Sequence, residues 1–414
     1  MKFLSPDGLK IDLTYEQPIA AGGEGKIFPV RLRSNLVAKI FSQPRQATLT
    51  KLLVMLAAPR LLAERPELPM AWPVGLLYTN DRRREFAGYL MRRVVGARSI
   101  LDVYHPKTRR LSSPSFDYRY LHRTARNLAS AMALAHSHRY VLGDVNESNF
   151  LVADNGCVTV VDVDSWQVRD PATGILLRCN VGKPEFIPPE LQGKLLPLVD
   201  RTEVHDRFGL GVLLFKLLME GTHPFDGVWL GSGDPPALET RIARGYFPHG
   251  NRAVPMAPKP GAPPFNLMQP GLQSLFIQCF EEGHRDPTKR PDANTWAIAL
   301  QESEEKLCEC FANSQHWFGI HLTPCPWCER KTLLGGLDPF PPIYAAAIQP
   351  PLGPYPHPAL ASTPRPRRST PKSATASATS GSSFGGFAIL GLTLLAGACL
   401  LFGSGKSTKK DDPS

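Results

Sequence analysis

Two carboxylates and an amide stand close together in the chain and are the residue types that phosphoryl transfer from a nucleotide requires. Asn149 follows Asp144 by five residues, and Asp162 comes directly after an apolar run at 158–161. Asp144 could accept the proton of an attacking hydroxyl group, whereas Asn149 and Asp162 could hold Mg²⁺ against the phosphates. The alternative interpretation of this stretch is an ordinary polar hairpin with capping Asp and Asn residues.

The surrounding sequence predicts the elements that would position these side chains. Apolar runs at 150–152 and 158–161 flank Asp-Asn-Gly at 154–156, which is a strong β-hairpin signal. Such a hairpin would bring Asn149 and Asp162 to one end. Apolar residues at helical spacing predict a long helix at 121–138, which would deliver the chain to Asp144.

A glycine-rich turn and a lysine lie upstream of this stretch. Gly22, Gly23 and Gly25 lie in a turn whose backbone N–H groups could cover phosphates, and Lys39 lies in the strand-like run Leu-Val-Ala-Lys-Ile at 36–40. The three glycines could also form a plain hairpin turn. Followed by Lys39 at this spacing, they indicate a nucleotide site.

The order and spacing of these motifs resemble the protein-kinase superfamily over roughly residues 13–302. Pro-Pro-Glu190, the helix beginning near Asp206 and Arg290-Pro291 extend the resemblance into the C-terminal half. It implies an α+β, two-lobed protein-kinase-like fold, with a small β-rich N-lobe at about 10–94 and a helical C-lobe at about 95–305. It also implies that Asp206 braces the loop around Asp144 and that Glu190 pairs with Arg290.

The resemblance assigns roles to individual residues, with ATP and Mg²⁺ as cofactors. Asp144 would be the catalytic base, and Lys39 would contact the nucleotide phosphates. Met91 would lie at the back of the nucleotide pocket, and residues 92–94 would form the hinge beside adenine. The implied nucleotide-binding residues are Gly22, Gly23, Gly25, Lys39, Met91, Arg92, Val94, Asn149 and Asp162, of which Asn149 and Asp162 would bind Mg²⁺.

A narrower resemblance is to a bacterial group of kinase-like proteins. The motifs that carry it are the segments at 143–149, 162–166 and 186–191. This group is associated with von Willebrand-type and phosphatase partners in tellurite-resistance-like gene sets, and it often carries a small Cys/His segment after the kinase fold. The resemblance therefore implies a protein substrate and possible partners of these two kinds.

Several positions depart from the usual kinase pattern. Gly143 stands where an arginine usually precedes the base, Asn146 where a phosphate-contacting lysine usually lies, and Asp164 where a glycine usually follows the metal aspartate. The helix predicted at 46–56 contains no acidic residue to pair with Lys39, for which Glu64 or Glu67 could substitute. The sequence thus favours an ATP-dependent serine/threonine protein kinase. A nucleotide-binding pseudokinase scaffold and a small-molecule phosphotransferase are the alternatives.

A cysteine–histidine cluster follows the kinase-like region, at 306–336. Zinc requires four ligands in tetrahedral geometry, and the spacing favours Cys310, His316, Cys325 and Cys328. Cys308 could complete the site instead. A redox Cys-x-x-Cys pair and free thiols are the other interpretations. The predicted module is a small zinc-knuckle-like unit that holds structural Zn²⁺.

The C-terminal part is predicted to attach the protein to a membrane. Residues 337–383 contain 11 prolines and then a Ser/Thr/Ala-rich run, which predicts a disordered linker. The 19 residues at 384–402 carry no charge, which predicts one C-terminal transmembrane helix, followed by a short charged tail at 403–414. With a kinase-like domain at 10–305, we expect a single-pass C-terminal anchor and a cytoplasmic kinase domain.

The net charge of +10 does not indicate nucleic-acid binding. Seven Lys/Arg and two Asp residues in the last 54 positions give +5, so half of the excess flanks the apolar segment, where it can meet anionic lipid. The chain also lacks aromatic–basic interleaving and a recognition-helix pattern. We therefore expect no nucleic-acid partner.

Overall fold

An antiparallel sheet of seven strands forms the N-lobe, in the order β2-β1-β6-β7-β5-β4-β3. The computed structural model describes residues 1–13, 17–57 and 69–343. The strands of this sheet are β1 Lys2–Leu4, β2 Lys10–Asp12, β3 Ala20–Ala21, β4 Gly25–Pro29, β5 Leu36–Phe41, β6 Pro73–Thr79 and β7 Phe86–Arg92. Strand β1 pairs with both β2 and β6, so the N-lobe begins at Lys2, earlier than the predicted start at residue 10.

Helices dominate the C-lobe. The helices of the described residues are α1 Gln46–Ala57 in the N-lobe, then α2 Ile100–Tyr104, α3 Pro106–Ser112, α4 Tyr118–Ser137, α5 Glu203–Leu218, α6 Leu238–Arg244, α7 Pro270–Ile277, α8 Gly283–Arg285, α9 Ala293–Glu305 and α10 Pro326–Leu333. A π-helical turn, Gln278–Glu282, joins α7 to α8. Helix α4 packs against α5 and α9, and the predicted helix at 121–138 corresponds to it.

Helix α4 begins where its sequence provides a cap. The Asp117 carboxylate accepts hydrogen bonds from the backbone N–H groups of Arg119 and Tyr120, which have no partner within the helix. Leu121, Leu128 and Met132 are at most 1% exposed and form part of the core of the C-lobe. The apolar spacing therefore predicts this helix correctly, and its C-terminal end leads into the segment that carries Asp144.

Short strands complete the C-lobe. They are β8 Ala97–Ser99, β9 Phe150–Ala153, β10 Val158–Val160, β11 Val168–Arg169, β12 Leu176–Leu177, β13 Val228–Trp229, β14 Met256–Ala257, β15 Leu307–Cys310 and β16 Asn313–Gly319. Strands β9 and β10 form the predicted hairpin, with Val158 opposite Val152. Gly156 in its turn has a φ of 79°, a left-handed conformation that glycine adopts without a steric penalty.

The segment that carries the cysteine–histidine cluster packs directly on the C-lobe. Trp327 of α10 is fully buried and meets the Tyr118 ring edge-on at 4.9 Å, and Arg330 forms an ion pair with Glu220. Asp338 and Phe340 are also buried, 8% and 3% exposed. The folded body therefore extends to Phe340, so the first residues of the linker predicted from residue 337 belong to it.

The predicted membrane segment at 384–402 lies outside the described residues. Among residues 1–13, 17–57 and 69–343, no helix is both long enough and apolar enough to cross a bilayer. Glu64 and Glu67, the candidate partners of Lys39, also lie outside the described residues.

Candidate active site

Strand β5 presents Lys39 to the cleft between the lobes. Its ammonium group donates hydrogen bonds to both Asp164 oxygens, at 2.9 and 2.8 Å, and forms an ion pair with Asp162. Burial alone would lower the pKa of Lys39, but Asp164 and Asp162 outweigh it and raise that pKa above its ordinary value. Lys39 is therefore a fixed cation, held by two carboxylates from the segment that follows β10.

Asp162 lies directly beyond the β9–β10 hairpin, as predicted. Its backbone is left-handed, with a φ of 60°, and its side chain is 33% exposed. Burial and the neighbouring Asp164 raise the pKa of Asp162 above its ordinary value, while Lys39 acts in the opposite direction. A bound divalent cation would favour the ionised form of this carboxyl group, which suits a metal ligand.

The loop at 141–149, the Asp144 loop, holds the Asp144 carboxylate between two amides. Asn146 donates to Asp144 Oδ1 at 2.8 Å. Asn149 donates to the main-chain oxygen of Asp144 at 2.8 Å and to its Oδ2 at 3.2 Å. These bonds occupy the amide nitrogen of Asn149, which leaves its amide oxygen as the atom that could bind Mg²⁺. The side chains predicted as the base, Asp144, and as a metal ligand, Asn149, are therefore in direct contact, and their roles stay predictions.

Helix α5 braces the Asp144 loop through Asp206. This buried carboxylate accepts from the backbone N–H groups of Leu142 at 2.7 Å and Gly143 at 2.8 Å, and from His136 at 3.0 Å. Two charge-assisted bonds to adjacent N–H groups fix the backbone just before Asp144. The predicted brace is confirmed.

An ion pair in the C-lobe joins a buried guanidinium group to a partly exposed carboxylate. Arg290 is 1% exposed and donates two hydrogen bonds of 2.7 Å to the Glu190 carboxylate. This parallel, two-point geometry is specific to a guanidinium group and a carboxylate. The pairing predicted for these residues is confirmed, and it fixes the end of the segment that begins at Asp162.

The glycine-rich turn joins β3 to β4 above Lys39. A Cβ at Gly22 or Gly23 would meet no atom within 4 Å, so no neighbouring atom crowds the turn at these two positions. Glycine is needed at position 25 for a steric reason, because a Cβ there would lie 2.4 Å from the Ile40 carbonyl oxygen. The close pairing of β4 with β5 therefore requires the third glycine.

The residues predicted to lie beside adenine are at the end of β7 and just after it. Met91 is 5% exposed and packs with Val37, Leu76 and Tyr89 in the core behind the cleft. Arg92 ends the strand, and Val94 lies in the connection to β8. These three residues occupy the junction between the lobes, where the hinge is predicted.

The sequence did not identify the partner of Lys39. Asp164 binds Lys39, and Tyr89 holds Asp164 in place, since the Tyr89 hydroxyl donates to Asp164 Oδ1 at 2.7 Å. One feature of the sequence could have indicated this partner: Asp164 stands where the kinase pattern usually has a glycine. A lone lysine, Lys51, in the otherwise uncharged helix α1 was a second signal.

The predicted zinc ligands meet in space. One ligand atom from each of Cys310, His316, Cys325 and Cys328 lies within 4.8 Å of the others. Cys310 Sγ lies 3.7 Å from Cys328 Sγ, and His316 Nδ1 lies 3.5 Å from the latter. Ligands about 2.3 Å from a tetrahedral zinc ion are about 3.8 Å apart, so the separations of this set are compatible with zinc.

The other residues considered for this site lie elsewhere. Cys308 donates to the Phe318 carbonyl, and His321 lies 3.1 Å from the Asn266 carbonyl. His316 Nε2 lies 2.9 Å from Asp338 Oδ1, which fixes the imidazole so that Nδ1 faces the thiols. Sequence spacing did not identify Asp338, because it falls in the stretch predicted as linker.

The chain is similar to several curated protein kinases. It is 36% identical over 321 residues to Protein kinase YegI of Escherichia coli (strain K12), which is 76% of this chain and 48% of that protein. It is 25% identical over 309 residues to Serine/threonine-protein kinase SBK2 of Rattus norvegicus, 67% of this chain and 81% of that protein. It is also 31% identical over 101 residues to the Probable serine/threonine-protein kinase PknB of Lactococcus lactis, 24% of this chain and 15% of that protein.

The chain spans about half the length of the YegI kinases that it matches. No protein-family model matches it. These likenesses, in the same chain as a paired Lys39, a braced Asp144 and a bidentate Glu190–Arg290 bond, support membership of the protein-kinase superfamily.

Proposed function

We propose that the chain is an ATP-dependent serine/threonine protein kinase that transfers the γ-phosphate to a protein hydroxyl. The observation that carries the proposal is the convergence of Lys39, Asp144, Asn149 and Asp162 on one cleft. Lys39 bonds to Asp162 and Asp164, and Asp144 is held by the amides of Asn146 and Asn149. Phosphoryl transfer depends mainly on positioning and on charge stabilisation, and this arrangement provides both.

Each residue has a defined task in this mechanism. Asp144, oriented by Asn146, would accept the proton of the attacking hydroxyl as it approaches the phosphorus. Lys39 would bind the phosphates, and Asn149 and Asp162 would bind Mg²⁺, which screens the phosphate charge. The open turn at Gly22 and Gly23 would cover the phosphates with backbone N–H groups.

Magnesium-dependent nucleotide binding and transfer by matched variants would test the proposal. Asp162→Ala should abolish Mg²⁺-dependent ATP binding. Asp144→Asn should bind ATP as the wild type does, but it should transfer phosphate slower by roughly 10²-fold or more. If the wild type binds ATP but transfers phosphate to no protein, the result would favour the pseudokinase scaffold. Transfer only to small acceptors would identify a small-molecule phosphotransferase.

We also propose that the Cys310-His316-Cys325-Cys328 cluster binds one structural Zn²⁺. A tetrahedral set of three thiolates and one imidazole is a closed coordination sphere, which suits a structural rather than a catalytic ion. Protein purified without chelator should carry about one equivalent of zinc. Cys328→Ser should lose it, whereas Cys308→Ser should keep it. Zinc retention by Cys328→Ser, or a metal-free folded protein, would contradict the assignment.

The third element of the proposal is a membrane tether. The uncharged run at 384–402 is long enough to cross a bilayer as a helix, and we propose that it anchors a cytoplasmic kinase domain. The full chain should then resist high salt and carbonate but dissolve in detergent. Release by salt alone would contradict an integral anchor. Von Willebrand-type and phosphatase partners are part of the same proposal, supported by the narrower sequence resemblance.

A further inference from the structure

Two carboxylates contact Lys39, and their surroundings differ. The Asp162 side chain is 33% exposed and faces the open cleft, whereas the Asp164 side chain is 1% exposed. Both Asp164 oxygens bond to Lys39, and Oδ1 also accepts from the Tyr89 hydroxyl. Asp162 can therefore turn to a metal ion, while Asp164 is enclosed and saturated by its protein partners.

Helix α1 offers no carboxylate to Lys39. In protein kinases, the lysine that binds the phosphates pairs with a glutamate of the N-lobe helix, and this pair must be in place for activity. The charged group that α1 presents here is the ammonium of Lys51, which is 8% exposed. Burial lowers the pKa of Lys51, although the charges of Cys179, Asp164, Glu24 and Asp162 act in the opposite direction.

Lys51 contacts backbone instead of a carboxylate. Its ammonium group donates to the carbonyl oxygens of Arg178 at 3.1 Å and Ser165 at 3.3 Å. Lys51 and Asp164 also line one cavity of about 450 Å³ beneath the glycine-rich turn. Helix α1 is thus tied to the segment after Asp164, and it carries a cation where the opposite charge is usual.

We propose that Asp164 is the positioning residue for Lys39 and replaces the absent helix carboxylate. This inference rests on the proposed nucleotide site. It follows that the proposed metal ligand, Asp162, and the residue that positions Lys39, Asp164, lie on one short turn. The backbone N–H and the hydroxyl group of Ser165 close this turn by donating to the Asp162 carbonyl oxygen at 3.1 and 2.8 Å. Lys39 is then oriented with the metal ligand and does not depend on a carboxylate from α1.

A double-mutant cycle on ATP affinity tests this role. Asp164→Asn keeps the shape but removes the charge, and we expect it to raise the ATP Kd roughly fivefold or more, within the coupling range of contacting residues. In the Lys39→Met background, the same change should alter the Kd less than about twofold, because Asp164 acts through Lys39. Urea unfolding of each variant shows that the compared proteins are folded.

The magnesium dependence separates positioning from metal binding. Asp162→Asn should shift the Mg²⁺ concentration needed for half-maximal ATP binding, whereas Asp164→Asn should leave it unchanged while weakening ATP binding. A merely structural role would not produce this division. If Asp164→Asn does not fold, Tyr89→Phe serves in the same cycle, since it removes one hydrogen bond from Asp164 and keeps all charges.

Two results would overturn the inference. The first is an increase in the ATP Kd on Asp164→Asn that is as large in the Lys39→Met background as in the wild type. The second is an Asp164→Asn variant whose Mg²⁺ requirement for ATP binding shifts as much as that of Asp162→Asn. Neither requires phosphate transfer. A protein that binds Mg²⁺ and ATP without transferring phosphate would therefore contradict the proposed kinase activity and still decide the role of Asp164.

Discussion

Replacing Glu190 by glutamine should destabilise the C-lobe by about 3 kcal/mol, because it leaves a buried guanidinium without a counter-charge. Arg290 is 1% exposed, and both of its terminal nitrogens donate to Glu190 at 2.7 Å. Loss of one partner of a fully buried pair costs roughly 3–5 kcal/mol, and the Glu190 side chain is 27% exposed, which lowers the cost. Glutamine keeps one acceptor oxygen in place, which puts the expected cost at the lower end.

The assay is urea unfolding followed by tryptophan fluorescence, since Trp296 is fully buried in the same lobe. The matched control is Asp200→Asn, which breaks the ion pair between Asp200 and Arg178. Their side chains are 60% and 41% exposed, respectively. An exposed pair contributes at most about 1 kcal/mol. Equal, small losses for Glu190→Gln and Asp200→Asn would refute the argument that burial makes the Glu190 pair important.

The same pair predicts a pH dependence. Burial raises the pKa of Glu190, but the Arg290 hydrogen bonds and charge outweigh it, so the folded pKa lies below the ordinary value. A depressed carboxyl pKa stabilises the fold above the unfolded pKa of about 4.3, and this stability is lost as pH falls through the folded value. The stability difference between wild type and Glu190→Gln should therefore be full at pH 7 and shrink below about pH 4.

Three further predictions concern the described structure. Gly143→Ala should lose roughly 1–3 kcal/mol of stability because its φ is positive, and more because the new Cβ would lie 2.7 Å from the Cβ of buried Cys179. Gly233 has a similar φ but open space around it, so Gly233→Ala should show only the loss due to φ when both variants are compared by thermal unfolding. Phe340→Ala should cost about 3–5 kcal/mol in urea unfolding, and a loss below about 1 kcal/mol would contradict its place in the core. Asp338→Ala should weaken zinc binding roughly 10–100-fold in a chelator competition, because it removes the oxygen that accepts from His316 Nε2 and fixes the ring, and an unchanged affinity would contradict this role.

Local patterns predicted most of the site. The hairpin that carries Asn149 and Asp162 to one end follows from an Asp-Asn-Gly turn between two apolar runs, and the structure contains it as β9 and β10. The four proposed zinc ligands lie within 19 residues, from Cys310 to Cys328, so a short hairpin and the first turn of α10 bring them together. Both arrangements depend on residues close in sequence.

Contacts between distant residues were not predictable from the sequence. The bond between Lys39 and Asp164 joins residues 125 positions apart. No local pattern distinguishes a carboxylate that holds a lysine from an altered metal motif. Phe340 lies in a proline-rich stretch whose composition predicts a linker, yet it packs on Tyr118 of α4 with ring centres 6.3 Å apart. Composition describes how a segment behaves alone, and burial against a distant aromatic ring reverses that behaviour.

The most direct test of the central claim is transfer of labelled γ-phosphate from ATP to protein hydroxyl groups by the wild type and by Asp144→Asn at saturating Mg²⁺ and ATP. We predict phosphoserine or phosphothreonine in the wild-type reaction, and a rate lower by roughly 10²-fold or more for Asp144→Asn, with ATP affinity retained. Equal rates for the two proteins, or no labelled protein from a wild type that binds ATP, would contradict the assignment of Asp144 as the catalytic base of a protein kinase.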